Sequence, residues 1–435
     1  MKTFFAFDAL GTTYRRELLG GITTFFAMAY IVIVNPAILS AGGVPKEANT
    51  TATIIAAVIG TLVMAFYARR PFAIAPYMGE NAFIAYTVCL GMGFPWQKAL
   101  GAVCISGVIF IIITALRIRG WITTAIPVCL KRSFAAGIGL FIMFIGLNES
   151  GLIRSGIPGA PVKIGDLSAT GPLLAIFCIL LISVLMIRKV PAAILLGILV
   201  TTIGSFVVGY AKLPDQIVSA PPSLSPLLFK LDIGGALSLD FLPIILVLFI
   251  LAFVDTMGTL IGLSARAKLL DTHGNLPQIE KPMMADAVAT TAAALLGTST
   301  TGAYIESATG IEAGARSGFA SLVTATLFVL CLFVAPLFVA VPAVAYGPAL
   351  IIVGFLMLSP IKDLPFDDYS ELFPSVATVA LMVFTYNIGF GMAAGFVLYP
   401  LFKILTGRFH ELPHGIWVLF AISLLLFIFY PYGKI

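Results

Sequence analysis

Acidic side chains inside apolar stretches are the residues of this chain best suited to do chemistry. Asp255 follows the apolar run from Phe241 to Val254, and Glu306 and Glu80 lie in two stretches rich in small residues. Ionisable groups within a membrane segment are rare and mark substrate or ion pathways. A carboxylate there can accept hydrogen bonds from the N–H groups of a ligand, and its removal from water favours the protonated form. These acids therefore indicate ligand binding, proton transfer, or both.

Composition predicts the elements that must hold these acids. Of the 435 residues, 60% are hydrophobic and 10% are charged, which excludes a soluble globular domain. Apolar runs of roughly 17–25 residues suit a spanning helix, and the sequence divides into fifteen such segments or shorter, broken ones. The predicted fold class is an all-α polytopic membrane protein with fourteen core transmembrane segments.

The third and tenth segments are the irregular ones. In the tenth, residues 299–302 are small and tolerate extended backbone, and a helical pattern begins near Tyr304 with Glu306 in or close to its first turn. In the third, Pro76 prevents a continuous helix, and residues 79–81 open a new one. Each is predicted to be a short extended stretch followed by a half-helix, which survives at membrane depth only where protein or a water-filled cavity surrounds it. The positive ends of the two half-helix dipoles suit an electron-rich ligand.

The chain also divides into two similar halves. A proline-rich linker, residues 211–240, separates residues 1–210, which hold segments one to seven, from residues 241–405, which hold segments eight to fourteen. An odd number of crossings per half gives the halves opposite orientation, and irregular segments at corresponding positions are typical of inverted-repeat transporters. Residues 406–435 carry an extra hydrophobic segment outside this symmetry.

The basic residues set the predicted orientation. Lys and Arg in loops on the N-terminal side of the membrane outnumber those on the other side by about three to one, which predicts a cytoplasmic N-terminus in a multi-pass plasma (inner) membrane protein. The net charge of +5 thus comes from basic loop residues beside the lipid bilayer, which is the predicted partner, and it does not indicate binding to nucleic acid. The five cysteines form no CxxC pair, so the sequence indicates neither a disulfide framework nor a zinc site. No other metal site and no cofactor are predicted.

Each candidate residue has a structural alternative. Asn81 can cap its half-helix or present its amide to a ligand. Asp255 can accept a hydrogen bond from the backbone of a broken segment instead of serving a ligand or a proton. Tyr304 or Phe83 can supply a stacking face for a flat ligand. Asp255 and Glu306 are the predicted carriers of a coupled proton.

Two further polar pairs admit a structural role. Thr256 and Thr259 can satisfy carbonyls of their own helix instead of contacting a ligand. Glu312 and Arg316 are four residues apart with the acid nearer the N-terminus, so they are predicted to form a helical ion pair.

Transport is the function that this pattern favours, and other classes are less consistent with it. A small-anion transporter of similar architecture would place a cation, rather than Asp255, Glu306 and Glu80, around its ligand. A channel needs a continuous polar lining, whereas the polar groups here cluster at one depth. An intramembrane enzyme could use two carboxylates as acid and base, but the sequence has no nucleophile motif and no soluble domain.

At these residues the chain resembles a known family. The stretches VDTMGTLIG (254–262), GTSTTGAYIESATGIEAGARSG (297–318), TTFFAMAYIVIVNPAIL (23–39) and APYMGENAFIAYT (75–87) are similar to the AzgA-like purine permease branch of the nucleobase:cation symporter (nucleobase–ascorbate transporter) family. The similarity covers nearly the whole chain.

This resemblance implies both an architecture and an activity. It implies two inverted seven-segment repeats, a core domain of segments one to four and eight to eleven, and a gate domain of segments five to seven and twelve to fourteen. It implies proton-coupled uptake of a purine nucleobase by alternating access, and a possible homodimer. Asn81 matches the half-helix asparagine of the family, Asp255 its segment-eight acid, and Glu306 its segment-ten acid.

One departure from the family pattern affects specificity. The branch usually has a small and an apolar residue where this chain has Tyr77 and Glu80. Glu80 adds a third carboxylate beside the expected site, so we list it with the candidate substrate-binding residues. Glu80 therefore bears on which nucleobase would bind.

Overall fold

The computed structural model describes residues 1–117, 125–157, 160–239, 241–270 and 276–429. Helices dominate it, because backbone in lipid must satisfy its hydrogen bonds within the protein. In chain order the helices are α1 (Tyr14–Met28), α2 (Ile31–Ala41), α3 (Lys46–Val63), α4 (Met78–Ala82), α5 (Trp96–Ala115), α6 (Val128–Glu149), α7 (Thr170–Ile187), α8 (Ala193–Val207), α9 (Ile233–Ala236), α10 (Leu242–Arg266), α11 (Glu280–Leu296), α12 (Ser307–Glu312), α13 (Gly318–Cys331), α14 (Ala335–Val339), α15 (Ala343–Leu356), α16 (Tyr369–Phe384), α17 (Ile388–Leu405) and α18 (Ile416–Phe429).

Two short antiparallel sheets accompany the helices. Strand β1 (Ile74–Pro76) pairs with β4 (Thr301–Ala303), although they lie in different halves of the sequence. Strands β2 (Ile153–Ile157) and β3 (Ala160–Ile164) form a hairpin between α6 and α7, which the sequence did not predict.

The polytopic membrane class is confirmed. Within the described ranges, nine helical stretches are long and apolar enough to cross a membrane, among them Tyr14–Ala41, Leu242–Arg266 and Ile388–Leu405. Helices α8, α16 and α18 are shorter and also apolar. Fourteen as the number of crossings stays a prediction.

The helices pack into two sets. Helices α1, α3, α5, α10, α11 and α13 pack against one another, and we call them the core set. Helices α6, α7, α8, α15, α16 and α17 form the second, or gate set. Small residues allow the close approach that packing in lipid requires: a Cβ added at Gly146 of α6 would lie 2.6 Å from the Gly347 carbonyl oxygen of α15. This division agrees with the core and gate domains expected from the family resemblance.

The β1–β4 pair lies inside the core set. Ile74 lies opposite Ala303, and Pro76 lies opposite Thr301, and all six strand residues are buried. The pairing is prolonged at one end by a bond from Tyr304 N to the Ala73 carbonyl at 2.9 Å. The extended stretches predicted in the third and tenth segments are therefore confirmed, and each satisfies its backbone on the other.

A half-helix follows each strand. After β1, helix α4 continues into a π-helix at Phe83–Gly91, and after β4, helix α12 begins at Ser307. Because the strands are antiparallel, the two half-helices leave the pair in opposite directions. The predicted helix start near Tyr304 is wrong by about one turn, since Tyr304 N is engaged in the strand pairing. Glu306 is the residue just before α12, so its predicted position in or close to the first turn is confirmed.

The predicted linker (211–240) and the C-terminal region (406–435) both contain helices that pack against the rest of the protein. Within residues 211–240, the short helix α9 packs against α5, and Asp232 N donates to the Gln97 carbonyl at 2.8 Å. Helix α18 of residues 406–435 packs against α17 and α10. Residue 240 of the linker and residues 430–435 lie outside the described ranges. The repeat boundaries themselves stay predictions.

The predicted pair of Glu312 with Arg316 is wrong. Glu312 accepts from Arg266 Nη1 at 2.6 Å, and the Arg316 guanidinium donates instead to the Ile311 carbonyl at 2.6 Å. The reason is that α12 ends at Glu312, so the helical spacing that the prediction assumed does not continue to Arg316.

Candidate functional site

The broken segments enclose a cavity of about 210 Å³. It lies where β4 and the starts of both half-helices face α10 of the core set and α15 of the gate set. Such a volume is below the roughly 300–1,000 Å³ of pockets for drug-sized ligands, so it suits a small molecule. Its lining residues are Tyr30, Tyr77, Met78, Gly79, Asp255, Thr259, Ala303, Tyr304, Ile305, Glu306, Val353 and Met357.

Glu306 is held at the cavity by a residue from the first segment. Tyr30 lies at the join between α1 and α2, where the predicted first membrane helix is interrupted. Its hydroxyl donates to Glu306 Oε1 at 2.5 Å. The bond engages one of the two carboxylate oxygens of Glu306, and the residue lines the cavity. The sequence predicts Glu306 as a site residue, whereas nothing in the sequence indicates Tyr30.

Two aromatic rings form flat walls of the cavity. The rings of Tyr77 and Tyr304 are almost parallel, with an interplanar angle of 9° and centroids 6.3 Å apart. The Tyr304 hydroxyl donates to the Pro76 carbonyl, which fixes the ring against β1. The Tyr77 hydroxyl lies 3.4 Å from Thr256 Oγ1 on α10. Parallel rings on fixed supports suit a planar ligand, because aromatic faces prefer offset stacking.

Asp255 lies at the junction of two cavities. It lines the central cavity and also a neighbouring one of about 370 Å³, which Lys131, Arg132 and Pro360 line on the far side. Thr259, one turn further along α10, is shared in the same way. Asp255 is therefore placed to meet both a bound ligand and water entering from that side.

Three predicted site residues are not among the cavity lining. Glu80, Asn81 and Phe83 are fully buried on α4 and the π-helix that follows it. Both Glu80 carboxylate oxygens lack a hydrogen-bond partner, although the group interacts electrostatically with Asp255. The Phe83 ring packs against Gly389 of α17 in the gate set, so it does not face a ligand in this conformation. Their roles in substrate binding stay predictions.

Asn81 belongs to an amide network behind the cavity. Its Nδ2 donates to Asn35 Oδ1 at 2.8 Å, and Asn35 Nδ2 donates in turn to Thr53 Oγ1 at 2.7 Å and Thr298 Oγ1 at 2.8 Å. This network ties α2, α3 and the start of β4 to the third segment. Asn81 Oδ1 is buried without a partner, so the residue keeps one unused acceptor.

Asp286 is a buried acid that the sequence analysis missed. From α11, its Oδ2 accepts from Thr256 Oγ1 at 2.9 Å and from Ala303 N at 3.1 Å, while Oδ1 has no partner. The structural role that the sequence left open for Asp255, bonding to the backbone of a broken segment, is thus filled by Asp286. The prediction that Thr256 bonds to its own helix is wrong for the same reason. One available signal was a lone acid among small residues in MMADAVATT (283–291).

The charged residues that line the central cavity are all acidic. Its lining includes two carboxylates and neither lysine nor arginine. Within the described ranges, no group of three or more His, Cys, Asp or Glu side chains is arranged to hold a metal ion. The cavity therefore presents hydrogen-bond acceptors and aromatic faces to a small ligand.

Comparison with known proteins agrees with this geometry. Residues 15–398 match the model of a permease family, Xan_ur_permease. The chain is 48% identical over 429 residues to a permease of Methanocaldococcus jannaschii, covering 99% of this chain and 98% of that one. It is 41% identical to the guanine/hypoxanthine permease PbuG of Bacillus subtilis, covering 99% of this chain and 100% of that one. The chain belongs to the nucleobase permease family. Its members are transporters rather than enzymes.

A further relative and two solved structures are also similar to this chain. The chain is 38% identical to the adenine permease AdeQ of Escherichia coli K12, covering 98% and 96% of the two chains. Its fold matches the transmembrane domain of a cyanobacterial bicarbonate transporter, BicA, with a TM-score of 0.63 at 18% identity, over 88% of this permease and 97% of that chain. It also matches SLC26A9, with a TM-score of 0.66 at 13% identity, over 90% of this permease and 65% of that chain. At such identities the solved structures show the fold alone.

Proposed function

We propose that this permease takes up purine nucleobases by proton symport, and that the central cavity is its substrate site. The observation that carries the proposal is the pairing of two carboxylates, Asp255 and Glu306, with the parallel rings of Tyr77 and Tyr304 around one small cavity. A purine is flat, and its N–H groups can donate to carboxylates. Relatives named as guanine/hypoxanthine and adenine permeases support this substrate class.

The proposed orientation makes this conformation inward-facing. With the N-terminus in the cytoplasm, Lys131 and Arg132 lie on the cytoplasmic side, so the cavity that they line gives water access to Asp255 from inside. The opposite side of the substrate site is closed by the β1–β4 pair and the buried amide network around Asn35. Alternating access then requires the core set to move against the gate set, which supplies Val353 and Met357 to the cavity wall.

Proton coupling follows from the position of Asp255. A carboxylate next to both ligand and water can take a proton from one side and release it to the other as the protein changes conformation. Glu306 is the second proposed carrier of the proton. Because the Tyr30 hydroxyl holds its carboxylate in place at the cavity, we propose that its main role is substrate recognition.

A small anion is the alternative substrate class, because solved structures of this fold include a bicarbonate transporter. The decisive experiment is uptake of labelled hypoxanthine or adenine in transport-deficient cells, with purines, pyrimidines, sulfate and bicarbonate as competitors. We expect purines to compete and the inorganic anions to have no effect. Competition by an anion, without competition by nucleobases, would overturn the substrate assignment.

Coupling is tested separately with the same cells. Uptake is expected to rise as the external pH falls and to collapse when a protonophore is added. Uptake that follows an imposed sodium gradient and ignores the protonophore would replace proton coupling by sodium coupling.

A further inference from the structure

A second cavity lies at the end of the molecule that carries the β2–β3 hairpin. Its volume is about 650 Å³, and it is distinct from the central cavity, with which it shares no lining residue. Under the proposed orientation it faces the outside. The lining residues that determine its chemistry are Tyr86, Phe144, Glu149, Arg154, Phe384 and Tyr386.

A single carboxylate joins the two helix sets at this cavity. Glu149, the last residue of α6, accepts from the Tyr86 hydroxyl with Oε1 at 3.2 Å and from the Tyr346 hydroxyl with Oε2 at 2.9 Å. Tyr346 lies on α15 within the gate set, whereas Tyr86 lies on the π-helix that continues the half-helix of the third segment. The Tyr86 bond therefore connects this half-helix to the gate set. At 3.2 Å it is longer than the usual 2.5–3.0 Å of such bonds, so it is the weaker of the two.

Aromatic rings surround this carboxylate. Tyr386 meets Tyr86 edge to face, with centroids 5.8 Å apart, and Phe144 meets Tyr386 at 5.8 Å. Phe384 is 87% exposed at the edge of the cavity. A half-buried carboxylate beside the exposed Phe384 ring and the partly exposed Phe144 and Tyr386 rings offers a planar heterocycle a stacking surface and an acceptor for its N–H groups.

Charge at this cavity is mixed and does not favour a simple anion. Arg154 and Glu149 both line it, and Lys46 interacts electrostatically with Glu149 while its Nζ donates to the Val339 carbonyl at 2.9 Å. The Glu149 carboxylate oxygens accept from the tyrosine hydroxyls of this cluster. The chemistry therefore fits a neutral ligand that carries N–H donors.

We infer that this cavity is a vestibule subsite for the same class of planar N–H heterocycle as the central site. The ligand N–H takes the place of the Tyr86 hydroxyl on Glu149 Oε1, while Tyr346 continues to hold Oε2. Loss of the Tyr86 bond removes one of the contacts between the third-segment half-helix and the gate set, so binding in the vestibule weakens the connection between them. The inference rests on the proposed function and adds to it a second site.

The test is equilibrium dialysis of purified protein with labelled hypoxanthine and adenine. Four proteins are compared: wild type, Glu306→Gln, Glu149→Gln, and the double variant. Glu306→Gln is expected to weaken the central site and to leave a residual class of binding, and adding Glu149→Gln is expected to weaken that residual class about tenfold, as loss of a hydrogen bond to a charged group should. Glu47→Gln, an exposed acid at the start of α3 on the same side, is the matched control and should change nothing.

Tyr86→Phe separates a binding role from a purely structural one. Without the competing hydroxyl, Glu149 Oε1 is free, so the residual binding in the Glu306→Gln background should tighten several-fold, opposite in sign to Glu149→Gln. If Glu149 only holds the helices together, both substitutions should shift binding in the same direction or leave it unchanged, which overturns the inference. Circular dichroism and thermal melting show that each variant is folded.

The outcomes distinguish this inference from the proposed function. Purine binding to wild type that Glu306→Gln abolishes completely, or residual binding that Glu149→Gln leaves untouched, overturns the vestibule subsite and leaves the proposed function standing. Absence of purine binding to the folded wild-type protein overturns both.

Discussion

The Tyr30 hydroxyl donates to Glu306 at 2.5 Å across 276 positions of sequence. Because Tyr30 lies at the break between α1 and α2, the interruption of the first membrane segment serves to orient an acid of the tenth. Tyr30→Phe removes the donor without changing the shape of the ring. We expect purine affinity to fall about 3- to 10-fold, the effect of one hydrogen bond of about 1 kcal/mol.

The control for this prediction is Tyr67→Phe, at a tyrosine that is 50% exposed. Inhibition constants for hypoxanthine, measured in uptake assays, check both variants. Equal affinity in wild type and Tyr30→Phe would show that this bond does not prepare Glu306 for substrate.

The second prediction concerns the division of roles between the two cavity acids. Glu306→Gln keeps the side-chain shape but loses the charge, so it should weaken both substrate binding and transport. Asp255→Asn, at the junction of the two cavities, should leave part of the binding and abolish accumulation against a gradient. Equilibrium binding and accumulation measured on the same folded variants separate these effects. Complete loss of binding in both would mean that both acids contact the substrate.

The broken segments show what the sequence could predict. A continuous helix is disfavoured by Pro76 in the third segment and by Ser299 to Gly302 in the tenth. This preference depends on the residue types alone, so the extended stretches could be predicted from the sequence. Asp255 and Glu306 could be predicted because an acid inside an apolar membrane segment is energetically costly and therefore indicates a functional site. Both lie at the cavity.

Long-range contacts explain what the sequence could not predict. Asp286 is defined by its partners Thr256 and Ala303, which lie 30 and 17 residues away, and no local pattern relates the three. The direction of Glu80 and Asn81 was also undetermined, since neighbouring helix positions differ by about 100° and a short half-helix has no long apolar stripe to fix its rotation. The position of the neighbouring helices decides these directions.

Asp286 provides the third prediction. Asp286→Ala leaves the Ala303 N–H and the Thr256 hydroxyl without their acceptor, and unpaired buried donors cost about 1–3 kcal/mol each. The melting temperature should fall and purine binding should weaken, because β4 carries the backbone next to Tyr304. Asp286→Asn retains one acceptor oxygen and should recover part of the stability. The matched control is Asp215→Ala in the exposed linker. A stable Asp286→Ala protein with normal binding would contradict this role.

Glu80 provides the fourth prediction. Its carboxylate is fully buried, lacks a hydrogen-bond partner and is not among the residues lining the central cavity. Glu80→Leu should therefore leave the ranking of purines by inhibition constant unchanged, in contrast to Glu306→Gln. A changed ranking would show that Glu80 reaches the substrate in another conformation. That result would support the specificity role suggested by this departure from the family pattern.

The fifth prediction concerns an ionic cluster at the end of α17. Lys403 is buried and lies 2.9 Å from Glu371 and 2.7 Å from Glu411, while Arg408 Nη1 lies 2.7 Å from Asp368. Hydrogen bonds from Ser370 and Arg408 lower the pKa of Asp368 to about 2. Bonds from Arg408 and then Lys403 lower the pKa of Glu411 to about 2.

The sign of the pH dependence follows from these two depressed pKa values. Ordinary Asp and Glu side chains titrate near pH 3.9 and about 4.3, so the stabilisation from Asp368 and Glu411 is present above that range. It is lost as the pH falls through about 2, where both acids become protonated in the folded state. Arg408→Gln removes donors to both acids, so acid unfolding should begin at a higher pH than in wild type. Lys362→Gln, at an exposed lysine near the same end, is the control. Thermal melts between pH 7 and pH 2 check the prediction, and coincident pH profiles for wild type and Arg408→Gln would rule the cluster out as a source of acid stability.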